Sequence, residues 1–140
     1  MRYLLDTCLI SEALKRSPEK KVLEWLQAQE EDGLFLSVIT MGEIQKGISK
    51  LPEGTRRRRI RKWLDHDLSR RFISRILPID QAVASRWGSI CGEAERIGRK
   101  IPVLDALLAA TALEAGLTLA TRNTRDLQAT GVPILDPWAF

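Results

Sequence analysis

The sequence predicts an α/β fold, a mostly parallel sheet between layers of helices, from three observations. Short apolar runs of strand length alternate with longer stretches whose apolar residues recur at helical spacing; that alternation builds parallel sheets covered by helices on both faces. Carboxylates stand where several of the short runs end, the edge at which such sheets place their ligands. The chain has 140 residues, 44% hydrophobic and 29% charged. That length suits one domain over residues 1–140 with a real core.

Tyr3, Leu4 and Leu5 open the series, apolar throughout as a strand covered on both faces would be. Asp6 ends this run, and a helix-like stretch containing Glu12 follows. EKKVLEWLQAQEE (19–31) spaces its apolar side chains as one face of a helix. LFLSVIT (34–40) is the second strand, with a helix starting near Met41. RILPID (75–80) is the third and leads into a helix from near Gln81, which includes AVASRWGSICGEAERIG (82–98). IPVLDALLAATALEAG (101–116) is apolar almost all round, as a buried helix should be, and Pro102 is well placed to begin it. LTLAT (117–121) and VPILD (132–136) supply the last strands. No repeat or linker divides the chain.

Four acidic positions stand out. Asp6 is either a turn residue or a metal ligand. Glu43 falls near the start of its helix, where a carboxylate also complements the helix dipole. Asp105 is the only charge in its apolar helix before Glu114. A first-turn cap or dipole role would explain it, but a carboxylate inside an apolar segment is costly unless it is paired, hydrogen-bonded or metal-bound. Asn123 and Asp126 in ATRNTRDL emerge from the strand LTLAT, where they also serve as ordinary turn residues. A parallel sheet can bring all four acids to one edge. Several carboxylates in one pocket repel unless a cation neutralises them, and oxygen ligands select hard ions such as Mg²⁺ or Mn²⁺.

Other chemistries find little footing. The sole histidine, His66, lies among acids on an exposed helix, and Cys8 and Cys91 form no CxxC pair and read as small buried residues. A haloacid-dehalogenase-like nucleophile pair would need a second Asp where Cys8 stands. The net charge is +4, gathered in RRRRIRKW (56–63) and SRRFISR (69–75). Arg56, Arg57, Arg58 and Arg59 form either a phosphate-facing surface or a solvated helix face. No apolar run has membrane-spanning length, and the N-terminal one is too short for a signal peptide. A cytoplasmic protein without membrane attachment is expected.

LLDTCLISE, TMGEIQKGI, IPVLDALLAATA and TLATRNTRDL, in this order, resemble the acidic motifs of PIN-domain ribonucleases. The closing ILDPWAF is similar to the tail of VapC-type toxins and their FitB-like relatives. The resemblance implies a three-layer α/β/α sandwich and Mg²⁺- or Mn²⁺-dependent hydrolysis of RNA. It also implies a toxin held by a small DNA-binding antitoxin, contact with operator DNA only through that antitoxin, and a homodimer. Carried onto this chain, Asp6 and Asp105 are the principal metal ligands, and Glu43 completes the acidic pocket. Where the family often has an acid, this chain has Asn123; its carbonyl is a neutral oxygen ligand, while Asp126 supplies charge. Thr7 and Thr121 orient ligands or water, or merely end strands. The alternative is a non-catalytic PIN-like module that binds RNA or a protein partner.

Overall fold

The computed structural model describes residues 1–140. Its strands are short: β1 (Tyr3–Leu5), β2 (Leu34–Ser37), β3 (Ile76–Leu77), β4 (Thr118–Ala120) and β5 (Ile134–Leu135). They form one sheet in the order β3-β2-β1-β4-β5, parallel at every pairing. The two central strands alternate their side chains between two cores, as a strand buried on both faces must. Tyr3 and Leu5 of β1 join Leu34 and Leu36 of β2 on one face; Leu4 and Leu119 lie on the other.

The first face is covered by α1 (Thr7–Ala13), α2 (Lys20–Ala28) and α3 (Val38–Lys50), through Leu9, Ile10, Val22, Ile44 and Ile48. A second helical segment follows: α4 (Thr55–Lys62), a π-helical turn (Trp63–Leu68) and the short α5 (Ser69–Arg71). It adds Leu64, Leu68 and Phe72 to the same core. On the opposite face lie α7 (Val103–Ala115) and α8 (Thr124–Leu127), through Leu108, Ala109, Ala112 and Leu127. Between those two faces in sequence comes α6 (Gln81–Arg96), which packs outside α7 around Ala94, Ile101 and Ala106. The three-layer α/β/α architecture is therefore present as expected.

Boundaries depart from the sequence reading in two places that matter. The expected strand 34–40 stops at Ser37, whose hydroxyl accepts from the Ile39 amide and starts α3 at Val38. An N-cap serine overrides the β propensity of the Val-Ile-Thr that follows it. Glu43 consequently sits in the second turn of α3, beyond the positions where the helix dipole acts most strongly. The third strand shrinks to Ile76–Leu77, ended by Pro78, and Asp80 caps α6 through the Val83 amide. Cys8 and Cys91 are half-buried rather than fully buried: Cys91 packs at the margin of the core around Ala94, and Cys8 stands beside Asp6 at the polar end of α1. His66 is exposed, as expected.

Candidate active site

Leu5 leaves the sheet and Asp6 follows at once. The Asp6 amide still donates to Ala120 O in the neighbouring strand, at 3.0 Å, while its side chain caps α1 through the Thr7 amide at 2.7 Å. One residue thus ends a strand and starts a helix, which leaves its carboxylate at the sheet's C-terminal edge. Asp6 is 9% exposed. The other carboxylate oxygen, Oδ2, accepts from Thr121 Oγ1 at 2.6 Å, just past the end of β4.

That hydroxyl is one link in a chain. Thr121 Oγ1 also accepts from the Asn123 amide at 3.0 Å, and Asn123 Nδ2 donates to Asp105 Oδ2 at 3.0 Å. On the other side of Asp6, Thr7 Oγ1 donates to Glu43 Oε1 at 2.6 Å and lies 3.1 Å from the buried Thr40 hydroxyl. Residues from α1, α3, α7 and the β4–α8 turn therefore meet in one polar network. Thr40 gave no signal in the sequence. It lies within the stretch read as strand, and only the true start of α3 turns it toward Thr7.

Asp105 registers the collected charge. Burial pushes its carboxyl above the usual range, and the negative charges of Asp6, Asp126 and Glu43 push it further; the Asn123 hydrogen bond opposes them. Asp126, exposed on α8, makes no direct contact with the network but adds to its field. None of the four acids takes part in an ion pair with Lys or Arg. Cys8 Sγ lies 3.6 Å from Asp6 Oδ2, and burial followed by the Asp6 charge pushes its thiol up to about 12. It stays protonated and is no nucleophile at neutral pH.

All-oxygen donors, mutual repulsion felt at Asp105 and the lack of an internal counter-cation suit a hard divalent ion. The carboxylates nevertheless do not close into a coordination shell: no three His, Cys, Asp or Glu side chains converge tightly enough to hold a metal. Thr7 and Asn123 hold Glu43 and Asp105 by hydrogen bonds, and Asn123 turns its amide nitrogen rather than its carbonyl toward Asp105.

The arginine run forms α4, with no buried residue, and divides between two hollows. Arg56 and Arg59 line a cleft against α1, while Arg57 and Arg58 line a smaller one beside Glu53. From the second basic stretch, Arg71 and Arg75 are committed to Glu31. No helix is long and apolar enough to cross a membrane.

Residues 3–132 match the PIN domain. The chain is 36% identical over 135 residues to Toxin FitB of Neisseria gonorrhoeae, covering 96% of this chain and 97% of that one. It is 35% identical over 135 residues to VapC ribonuclease Y4jK of Sinorhizobium fredii, covering 96% of each. Among solved structures, the FitAcB crystal structure from Neisseria gonorrhoeae superposes with a TM-score of 0.94 at 35% identity over 99% of both chains. A toxin–antitoxin complex from Klebsiella pneumoniae gives 0.67 at 25% identity, over 96% of this chain and 97% of that one.

Proposed function

The chain belongs to the PIN-domain family, and on that premise we propose that it is a metal-dependent endoribonuclease, the toxin of a toxin–antitoxin pair. The observation that carries this reading is the gathering of Asp6, Glu43, Asp105 and Asp126 around one sheet edge with no Lys or Arg to neutralise them. The names of its relatives, a VapC ribonuclease and a FitB toxin, agree with it. Asp6 and Asp105 would hold Mg²⁺ or Mn²⁺, with Asn123 and Asp126 beside them. Such an ion acidifies bound water and offsets charge on phosphoryl oxygens.

The chain's own residues have separate tasks. Thr121 fixes the Asp6 carboxylate and, through the Asn123 amide, ties it to the turn that reaches Asp105. Thr7 donates to Glu43 and keeps that carboxylate facing the pocket, where it serves as the group that orients or deprotonates the attacking water. The partners under this proposal are RNA, a second copy of the chain and an antitoxin that brings the pair to operator DNA, all in the cytoplasm.

Asp6→Asn and Asp105→Asn test the reading. Each variant should keep its circular dichroism spectrum and lose at least ~100-fold of Mg²⁺-stimulated cleavage of a mixed RNA substrate, about the scale of one lost electrostatic group at a reacting centre. Chelator should silence the wild type. A folded Asp105→Asn protein with wild-type cleavage would sink the assignment and favour a non-catalytic binding module.

A further inference from the structure

A cleft of about 1090 Å³ that does not hold the acids opens between α1 and α4. Lys15, Arg16, Arg56, Arg59 and Lys62 line it against a single acid, Asp67. Of the five cations only Lys15 has an ion-pair partner, Glu12. Arg61, on the same helix α4, is instead bonded to Gln45.

Three features tie this cleft to a polyanionic strand. Ser11 lines it, four residues along α1 from Thr7, so the cleft begins about one helical turn from the hydroxyl that holds Glu43. Trp63, packed by one side against the core, adds an aromatic wall among the cations, the pairing of groups that single-stranded nucleic acids use for backbone and base. Trp63 and Asp67 both belong to the π-helical turn, where the Ser69 amide reaches back to Leu64 O. Such turns are rare and concentrate at functional positions.

We infer that this α1–α4 cleft is the track for single-stranded RNA on the Glu43 side of the acidic pocket, with Arg56, Arg59 and Lys62 on phosphates. The inference rests on the ribonuclease reading and extends it. An acidic pocket repels phosphates, so affinity must come from cations outside it; Arg56, Arg59 and Lys62 supply them in the cleft that Ser11 of α1 also lines. Arg57 and Arg58, in their separate hollow beside Glu53, take no part.

Binding measured without divalent metal separates the two readings. A fluorescein-labelled single-stranded RNA oligomer is titrated by anisotropy at several salt concentrations against the full-length protein. Arg56→Gln/Arg59→Gln should weaken binding about tenfold at low salt and flatten the slope of log K against log salt by ~1.4, at ~0.7 per phosphate contact on a single strand. Arg56→Lys/Arg59→Lys should keep the slope, and Arg57→Gln/Arg58→Gln should match the wild type. Wild-type protein that binds in this way yet cleaves nothing with Mg²⁺ would defeat the nuclease reading and leave the track standing. An unchanged slope in Arg56→Gln/Arg59→Gln, an equal loss in Arg57→Gln/Arg58→Gln, or a loss confined to binding of a protein partner would overturn the track.

Discussion

Thr7 has one hydroxyl hydrogen and two oxygen neighbours. The 2.6 Å contact with Glu43 Oε1 takes that hydrogen, because a carboxylate can only accept; the Thr40 hydroxyl at 3.1 Å must then be the donor to Thr7. Thr40, fully buried, therefore acts as a positioning residue: it fixes the Thr7 rotor, which fixes Glu43. Thr40→Val keeps the shape and removes the donor. It should lower kcat about tenfold, ~1.4 kcal/mol of barrier, with KM unchanged, and Thr40→Ser should restore most of it. A fall in Tm with kcat intact would reduce Thr40 to a packing residue. Asp6 and Asp105 were legible as residues because a carboxylate in an apolar run contradicts its surroundings. Thr40 was not, since a threonine is equally at home in strand, cap or core.

At the scale of elements, α7 places Asp105 in its first turn, ahead of six buried residues from Ala106 to Ala112. Its carboxyl is raised above 3.8 by burial first and by Asp6, Asp126 and Glu43 next. The native protein then binds that proton more readily than the unfolded chain, so stability falls as pH rises from about 3.8 through the folded-state value and stays lower above it. Asp105→Asn removes the titration. In chelator its Tm should exceed the wild type's at pH 7 by a few degrees, and the gap should close below the unfolded-state value. Mg²⁺ should then raise the wild type's Tm more than the variant's. A variant less stable than wild type at pH 7 without metal would show that the Asn123 hydrogen bond outweighs repulsion. Its apolar composition all round and Pro102 at its start made α7 readable within two residues of its ends; in the structure Gly116 closes it as a left-handed C-cap. The start of α3 was hidden because Val38, Ile39 and Thr40 favour a strand by themselves, and the decision belongs to the Ser37 hydroxyl.

For the whole molecule, strand order follows from what sequence cannot show: β4, late in the chain, inserts beside β1, and this alone brings Thr121 and Asn123 to Asp6. The alternation of runs predicted layers, and the order of acidic motifs suggested their convergence; distances between elements had to come from the structure. The result is a chain of net charge +4 whose four pocket acids make no ion pair with Lys or Arg. A pocket of this kind accepts a side-chain cation as readily as a metal, and arginine suits it best, being permanently charged and able to bind carboxylate in two-pronged geometry. Under the toxin reading, an antitoxin's extended tail should lay an Arg or Lys among Asp6, Glu43 and Asp105. The co-expressed complex should be inactive on RNA, and changing that one basic residue to Ala in the antitoxin should restore cleavage while leaving the complex assembled. Operator DNA should bind the complex but not the isolated toxin. A tight complex that cleaves RNA at the free protein's rate would show that the antitoxin leaves the acids open.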